Sequence, residues 1–532
     1  MEIRLHRIGM IEDSEIKLDG LTVITGENQS GKTTIGKALY ALVDTVSDLP
    51  KKAKADRDAY ILKELENLSE NSTFFRFLFI SKFDGEDIDQ NYPALSMLAS
   101  RSLGRSPRFS ADFDPEMFAH NVEEELTAFL RLLEAGEETQ ASNPWLTRFL
   151  SYYSRDEREQ VYRVRTTNGK TEVVRRPVNR SARKTKPETP AETVARIIRN
   201  YLNSLQTLFE GINGDPLLEG YFQNSLNSAI RAEFDNEIQP IRDTTTPSEV
   251  SLSEGDSPYI KVKMQGQHVV ESMFHEIPWK KAYFVDNSIA LDTNFGRTII
   301  SSSPREINSD SYVNPRRFRR HVARLSAILR GGEELSPIEQ LILDEKLAPL
   351  KAKINAVVPG TFDFSGTDEV YVFPDGYPLH LINLASGSKM FSIMKILLEK
   401  GLLDENTMLI LDEPEVHLHP EWQNRFAEVI VLLVKELHIN VLLTTHSSNF
   451  MLALDAYVRK YEIRELANFY QARRLNDEFV THDCVTNRME VIYQDFVKPL
   501  AEMDVLRDKY ADDDEDGDGA DAEECEGGDG ET

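Results

Sequence analysis

A glycine-rich segment near the start of the chain, Gly26–Thr33, constrains the fold more than any other feature. It has the sequence GENQSGKT, which fits the pattern G-x-x-x-x-G-K-[ST], and it directly follows the apolar run Leu21–Thr25. This pattern binds phosphate when it joins a strand to a helix, because successive backbone N–H groups turn toward one anion and the helix N-terminus adds positive potential. We therefore predict a strand at 21–25, a phosphate-binding loop, and a helix from Thr34 to about Val43.

This loop, called the P-loop below, supplies candidate ligands for a nucleoside triphosphate and its metal ion. Lys32 can reach the β- and γ-phosphates, and the Thr33 hydroxyl can ligate Mg²⁺. The cofactors predicted here are ATP and Mg²⁺. The candidate ATP-binding residues of this segment are Gly26, Asn28, Ser30, Gly31, Lys32, Thr33 and Thr34.

Length and composition describe a large globular chain. Its 532 residues exceed the roughly 250–300 residues at which one core stops growing, so two or three structural units are expected. No apolar stretch approaches the roughly 18 residues of a membrane helix, and the first residues lack the layout of a signal peptide. Two cysteines, Cys484 and Cys525, cannot form a disulfide framework. We predict a cytoplasmic protein without membrane contact.

The net charge of −28 is unevenly distributed. Residues 511–532 carry twelve Asp/Glu and no Lys/Arg, which leaves −16 over the other 510 residues. Residues 155–186 carry eleven Lys/Arg against four acids, on a hairpin predicted to turn at Asn168-Gly169. This basic segment is either a solvated face or a contact for nucleic acid or an acidic partner. The basic helix predicted from Pro315 to Arg330 has the same two interpretations.

The acidic tail, residues 511–532, contains a D-x-D-x-D-G pattern that resembles a calcium-binding loop. Gly519 stands where an apolar residue normally packs, and no helix is expected to follow. A string of acids matches such a pattern easily, so we interpret the tail as disordered and solvated.

Two later segments supply catalytic side chains. The apolar run Met408–Leu411 ends in Asp412 and Glu413, which predicts a buried strand that delivers two carboxylates at its carboxyl end. Asp412 can hold Mg²⁺, and Glu413 can orient or deprotonate the attacking water. The run Asn440–Thr445 predicts a second strand, and His446 directly after it can hydrogen-bond the γ-phosphate and hold that water.

A third segment precedes a helix predicted from Ser388 to Lys400. Ser386 lies at the start of this helix, and Gly387 allows close approach of the backbone, so together they form a candidate anion site. Lys389 is a further candidate ligand.

Together these motifs resemble the head of ABC-type ATPases, in particular the OLD-like bacterial ATPases related to SMC heads. The resemblance covers about residues 1–42 and 369–456. It implies a head-to-tail dimer in which Ser386 and Gly387 of one subunit close over the ATP held by the other. Asp412 and Glu413 would be the Walker B pair, residues 415–420 the D-loop, and His446 the switch histidine.

The resemblance has two departures. The signature has the sequence Ala-Ser-Gly-Ser-Lys rather than Leu-Ser-Gly-Gly-Gln, so Lys389 is expected to add a positive charge near the composite site. No glutamine can be assigned to the Q-loop, and residues 282–292 are expected to occupy that part of the sheet. His417 and His419 lie in a predicted turn without other ligands nearby, so a metal site there is disfavoured.

The predicted fold is α/β: an ABC-ATPase head, with a mainly parallel sheet, flanking helices and N-terminal antiparallel strands, split by a largely helical insertion. The head would comprise residues 1–60 and 261–465. The insertion would comprise 61–260 with its basic hairpin near 160–176, followed by an α/β extension at 466–510 and the acidic tail.

Relatives of this type often act in anti-phage defence beside a separately encoded nuclease or toxin, as in Septu- or PARIS-like systems. The resemblance therefore implies an ATPase whose ATP-dependent dimerisation controls a partner effector, because the chain has no recognisable nuclease of its own. The second hypothesis is an SMC-like ATPase of DNA repair or maintenance, against which the lack of long coiled-coil heptads counts. The third is a transporter ATPase, and the fourth is a scaffold that binds ATP without hydrolysing it.

Overall fold

The computed structural model describes most of the chain in two compact units. The described residues are 1–69, 74–75, 78, 91–102, 113–136, 143–147, 149–151, 162–167, 170–175, 189–212, 216–235, 237–240, 242–243, 245–255, 257–266, 268–286, 288–292, 320–331, 336–365 and 369–511. The head unit lies within Met1–Asp48 and Phe222–Thr532, and the inserted unit is Leu49–Tyr221. The acidic tail after residue 511 and the hairpin turn at 168–169 lie outside the described residues.

The strands are numbered in chain order. They are β1 (Glu2–Ile8), β2 (Ile11–Lys17), β3 (Leu21–Thr25), β4 (Tyr162–Thr167), β5 (Lys170–Arg175), β6 (Ser248–Glu254), β7 (Ser257–Gln265), β8 (His268–Phe274), β9 (Lys281–Val285), β10 (Thr361–Asp363), β11 (Val370–Val372), β12 (Pro378–His380), β13 (Thr407–Asp412), β14 (Asn440–Thr445), β15 (Ala467–Arg474) and β16 (Val480–Cys484).

The helices are numbered in the same way. They are α1 (Lys32–Val46), α2 (Leu49–Ser69), α3 (Pro93–Ser102), α4 (Pro115–Glu134), α5 (Pro190–Ile212), α6 (Pro216–Phe234), α7 (Arg320–Arg330), α8 (Pro337–Asn355), α9 (Ser386–Glu399), α10 (Pro420–Leu437), α11 (Ser448–Lys460) and α12 (Glu490–Ala511).

In the described part of the head unit, eleven strands form one mixed sheet in the order β8-β7-β6-β1-β2-β16-β15-β3-β14-β13-β9. Strands β15, β3, β14, β13 and β9 run parallel to their neighbours in that series. Strands β2, β1, β6, β7 and β8 are antiparallel. The predicted α/β class, with a large sheet and flanking helices, is confirmed.

The sequence explains the two halves of this sheet. Every residue of β3 is buried, as is Thr407–Leu411 of β13, because helices cover both faces of central parallel strands. In β1 and β2, exposed and buried residues alternate, which is the pattern of strands with one solvated face. Helix α10 buries its apolar face in the core that also contains residues of β3, β13 and β14, and His438 ends it in the left-handed conformation with a φ of 56°.

Strands β15 and β16 depart most from the sequence prediction. They lie between β3 and β2, within the main sheet, whereas 466–510 was predicted as a C-terminal α/β extension of the head. Strands β6 and β7 also belong to the head unit, although residues up to 260 were expected in the insertion. The polar sequence SEVSLSE of β6 gives little strand signal, since its place is fixed by pairing with β1.

The inserted unit is a set of helices around an aromatic core. Phe74, Phe129 and Phe149 pack edge to face within it. Asp114 caps α4, and Thr189 and Glu192 form a capping box at the start of α5. Strands β4 and β5 pair antiparallel as the predicted basic hairpin. None of the described helices of either unit is long and apolar enough to span a membrane.

Candidate nucleotide-binding site

The carboxyl ends of three parallel strands bring the predicted motifs together. Strand β14 pairs with β3 on one side and with β13 on the other, so that Thr445 lies beside Thr25 and Thr444 beside Asp412. The P-loop follows β3, Glu413 follows β13, and His446 follows β14. One edge of the sheet thus gathers residues that are hundreds of positions apart in the chain.

The P-loop has the backbone that its glycines permit. Gly26 has a φ of 153° and Gly31 a φ of 76°, both in the region that disfavours a side chain. A Cβ on Gly26 would lie 2.6 Å from the Ala472 Cβ of β15, and one on Gly31 would lie 2.9 Å from Ile11. These two positions therefore require glycine for conformation and for close approach to the strands beneath.

Lys32 lies folded over the loop. Its ammonium donates to the carbonyls of Gly26 at 3.0 Å and Glu27 at 2.7 Å, and it lies 4.0 Å from Glu413. Burial lowers the pKa of Lys32, although nearby carboxylates oppose the shift. A buried ammonium held by loop carbonyls can exchange these partners for phosphate oxygens, so the residues present fit a triphosphate.

The remaining loop residues occupy three environments. The buried Ser30 hydroxyl donates to the Glu27 carbonyl at 2.7 Å and thereby closes the loop. Asn28 is exposed at the tip, where it can meet a ligand. Thr34 is half-buried in the first turn of α1, beside Gly9.

Two hydroxyls hold the Asp412 carboxylate. Thr33 donates to one carboxylate oxygen at 2.7 Å and Thr444 donates to the other. Burial raises the pKa of Asp412, and these hydrogen bonds act against the rise. A hydroxyl and a carboxylate are the hard oxygen ligands that Mg²⁺ prefers, so Thr33 and Asp412 fit the predicted metal site.

Glu413 lies between the Walker B strand and His446. Its φ of 49° is unusual for a residue with a side chain, and its N–H donates to both the carbonyl and the hydroxyl of Thr444 at 3.1 Å. His446 Nδ1 lies 3.3 Å from the Glu413 carboxylate. The structure therefore brings the two predicted catalytic side chains into contact.

Glu415 is a buried support that the sequence analysis placed only within the D-loop. Its carboxylate accepts from the Thr445 hydroxyl at 2.6 Å and from the His446 N–H at 3.2 Å. Burial raises the pKa of this group. Thr444 and Glu415 thus fix Asp412 and His446; the polar pair Thr444-Thr445 at the end of an apolar run is the signal that could have found this arrangement.

The signature segment lies at the start of α9. Ser386 is its first residue and is exposed, whereas Gly387 is buried against the D-loop, where a Cβ would lie 3.1 Å from Leu418 and 3.2 Å from the His417 carbonyl. His419 caps α10 by accepting from the Glu421 N–H. In the described fold, His419 thus serves as the N-cap of α10.

Lys389 differs from the sequence expectation. Its ammonium is buried, forms an ion pair with Asp292 at 2.7 Å and donates to the Ile382 carbonyl at 3.1 Å. The predicted positive charge near the composite site is therefore directed into the fold. The Lys389 side chain points toward Asp292, which lies about 100 residues earlier in the chain and belongs to no motif that includes the signature.

The basic helix differs in the same way. In α7, Arg320 and Arg324 form ion pairs with the buried Asp44 of α1. Arg330 forms an ion pair with Glu369. The described arginines thus serve internal contacts, which removes them from a nucleic-acid surface; Arg316, Arg317 and Arg319 lie outside the described residues.

The geometry defines a P-loop site of the ATPase type. A family model described as "AAA domain" matches residues 2–214, and one described as "AAA domain, putative AbiEii toxin, Type IV TA system" matches residues 370–453. A DNA double-strand break repair Rad50 ATPase from Sulfolobus acidocaldarius is 31% identical over 121 residues, which are 22% of this chain and 13% of that protein.

Solved structures of SMC heads also align with the chain. A SmcHead bound to the C-winged helix domain of ScpA covers 92% of this chain and 98% of its own, at 9% identity and a TM-score of 0.34. An SMC head domain from Thermotoga maritima covers 50% of this chain and 86% of its own, at 12% identity and a TM-score of 0.24. At these TM-scores the fold rests on the chain's own topology. The family models and the Rad50 match support an ATPase, and the chain spans about an eighth of the length of the Rad50 protein that it matches.

Proposed function

We propose that the chain hydrolyses ATP at a site shared by two copies. The observation that carries this proposal is the convergence at one sheet edge, where Thr33 donates to Asp412 at 2.7 Å and His446 lies 3.3 Å from Glu413. Thr33 and Asp412 would hold Mg²⁺, which supplies positive charge against the phosphate oxygens. Lys32 and the loop N–H groups would bind the β- and γ-phosphates.

The reaction follows from the positions of Glu413 and His446. Water attacks the γ-phosphorus, the bond to the β–γ bridging oxygen breaks, and ADP and phosphate leave. Glu413 accepts the proton of the water while His446 orients it. Glu413→Gln keeps the hydrogen bonds but removes the base, so we expect kcat to fall by about 10²–10⁴ with ATP binding retained. If wild type and Glu413→Gln hydrolysed ATP at the same rate, Glu413 would not be the base.

The exposed Ser386 supports the shared site. It lies on a helix start that a second copy can present to the P-loop, and a Cβ on Gly387 beside it would be in tight contact with Leu418 and the His417 carbonyl. Lys32→Ala would disable binding in one copy, and Ser386→Arg would block closure by the other. Each variant alone should be inactive.

Mixing the two variants tests the pairing. An equal mixture should recover about a quarter of the wild-type rate, because random pairing makes half the dimers mixed and each mixed dimer holds one complete site. The matched control is a double variant, Glu413→Gln with Ser386→Arg, mixed with each single variant in turn. With Lys32→Ala it forms a closed site that lacks the base, and with Ser386→Arg it forms no closed site. Both control mixtures should therefore be inactive. No recovery in the first mixture, with ATP binding intact in the Ser386→Arg protein, would contradict a shared site.

We propose control of a separately encoded effector, a nuclease or toxin in anti-phage defence, as the output of closure. The family description that names a toxin of a type IV system supports this output. The Rad50 match supports the second candidate, DNA repair or maintenance, at least as well. Co-purification with the product of a neighbouring gene in ATP, but not in ADP, would favour the effector. Stimulation of ATP hydrolysis by duplex DNA would favour the second.

A further inference from the structure

A buried histidine lies directly beneath the P-loop. His482 belongs to β16, beside Ser14 of β2, and 4% of its surface is exposed. Its Nδ1 lies 2.8 Å from the Ser14 hydroxyl and its Nε2 lies 3.1 Å from the Ser30 carbonyl. No motif includes this residue, which follows the P-loop by some 450 positions.

The partners of His482 fix its tautomer. The Ser30 carbonyl can only accept a hydrogen bond, so Nε2 carries the proton and donates. Burial disfavours the charged ring and lowers the pKa of His482 to about 4, so at neutral pH Nδ1 is unprotonated and accepts from the Ser14 hydroxyl. The neutral ring is thus held at both nitrogens, between a strand and the loop above it.

The contact with Ser30 determines the direction of a neighbouring donor. The Ser30 carbonyl and the Gly31 N–H belong to one planar peptide group and point to opposite sides of it. A carbonyl held downward by His482 therefore directs the Gly31 N–H upward, to the side where the P-loop would bind phosphate. Gly31, with a φ of 76°, is a glycine and can rotate at low cost, so this peptide needs a partner that fixes its direction.

We propose that His482 is a positioning residue for phosphate binding, which holds the Ser30–Gly31 peptide with its N–H directed at the phosphates. This inference rests on the proposed function, because it assumes that the P-loop binds a triphosphate. A histidine suits the place for two reasons. It donates and accepts at opposite ends of a rigid ring. In its neutral form it also adds no second positive charge near Lys32. The charged groups that act on His482 are Lys32, which lowers its pKa, and Asp483, which raises it.

Two substitutions separate positioning from packing. Glutamine places its amide nitrogen near the position of Nε2 and can still donate to Ser30. Asparagine is shorter and places its amide near Nδ1, so that it can contact Ser14 but does not reach Ser30. His482→Gln should bind ATP within about twofold of the wild type, whereas His482→Asn should raise the Kd about tenfold, the size of one lost hydrogen bond.

Calorimetric titration with ATP and with pyrophosphate gives the decisive readout. The rise in Kd for His482→Asn should be the same for both ligands, since the Gly31 N–H that His482 positions would contact phosphate alone. The melting temperatures of the two variants should lie close together. Equal Kd values for the two variants would overturn the proposal, because a merely structural ring would not distinguish which nitrogen is replaced.

A second variant and a control complete the test. If His482→Asn does not fold, Ser14→Ala should loosen the ring and raise the Kd about threefold, and an unchanged Kd would overturn the proposal. Lys32→Ala tests the proposed function separately. If wild type and Lys32→Ala bound ATP with equal Kd, ATP binding at the P-loop would be refuted. If Lys32→Ala lost affinity for ATP and His482→Asn did not, only the role of His482 would be refuted.

Discussion

Two buried histidines of the head unit differ in charge at neutral pH: His482 is neutral and His321 is positively charged. His482 lies beneath the P-loop between a hydroxyl and a carbonyl, and burial lowers its pKa to about 4. His321 lies in α7, with Nδ1 2.6 Å from Glu233 and Nε2 3.1 Å from Asp286. Burial opposes its charge as well, but hydrogen bonds and attraction from the two carboxylates outweigh it and raise the pKa of His321 to about 8.

The comparison shows that partners, rather than depth, decide the charge of a buried histidine. His482 is 4% exposed and His321 is 1% exposed, so desolvation is nearly the same for both. Tyr40 of α1 contacts the His321 ring edge to face, and Phe284 of β9 stacks on it. One histidine thus supports a loop by hydrogen bonds alone, while the other joins α6, α7 and the end of β9 by charge.

Removal of the charged histidine should have the largest effect. His321→Gln keeps hydrogen-bonding groups but removes the positive charge that faces the buried Glu233 carboxylate, which should cost about 3–5 kcal/mol in the free energy of unfolding. Urea unfolding at pH 7 measures this loss. The control is the double variant with Glu233→Gln, which should lose less than the sum of the single variants. A loss below about 1 kcal/mol would mean that His321 is neutral.

Acid should destabilise the protein through the neutral histidine. The folded pKa of His482 lies below the unfolded value of 6.5, so its contribution is present above pH 6.5 and is lost as the pH falls toward 4. The loss should reach about 3 kcal/mol. Carboxylates titrate in the same range, so the measurement is the difference between wild type and His482→Gln across pH 7 to 4. Parallel curves would show that His482 binds a proton equally well in the folded state.

Alkali should act through the other histidine. The folded pKa of His321 lies above 6.5, so its contribution is complete below pH 6.5 and is lost as the pH rises through 8. The expected loss is about 2 kcal/mol between pH 6.5 and 9 in the wild type, and it should be absent in His321→Gln. If His482→Gln instead removed this alkaline loss, the assignment of the two charge states would be reversed.

The smallest effect is expected for Ser14→Ala. The change leaves Nδ1 of His482 unpaired in a buried position, at a cost of about 1 kcal/mol. Thermal unfolding at pH 7 measures it, with Ser257→Ala at the exposed start of β7 as a matched control that should cost less. An effect as large as that of His321→Gln would indicate that the Ser14 hydroxyl holds a charge.

The sequence predicted those parts of the site that consist of consecutive residues. The P-loop and the Asp412-Glu413 pair combine a strand, a turn and their ligands within about ten residues, and both lie where the prediction put them. The strands predicted at 21–25 and 440–445 have the same bounds in the structure. Apolar runs with clear turn residues carry this information locally.

Features set by distant partners were not predicted. Strands β15 and β16 lie in the centre of the sheet, between β2 and β3. Nothing in the sequence of residues 467–484 indicates that these two strands pair with β2 and β3. The direction of Lys389 is set by Asp292, and that of Arg324 by Asp44. Both basic side chains were expected at the surface, because their acidic partners, the half-buried Asp292 and the buried Asp44, are distant in sequence.

The place of β15 and β16 also has a consequence during synthesis. Strand β3 pairs with β14 and β15, and the floor of the P-loop is completed only by Val480 and His482. At about 5–20 residues per second, a ribosome needs roughly 20–90 s to pass from residue 25 to residue 484. The P-loop emerges long before these strands, and until then both edges of β3 are unpaired. A nascent chain stalled before residue 440 is therefore expected to bind chaperones rather than nucleotide.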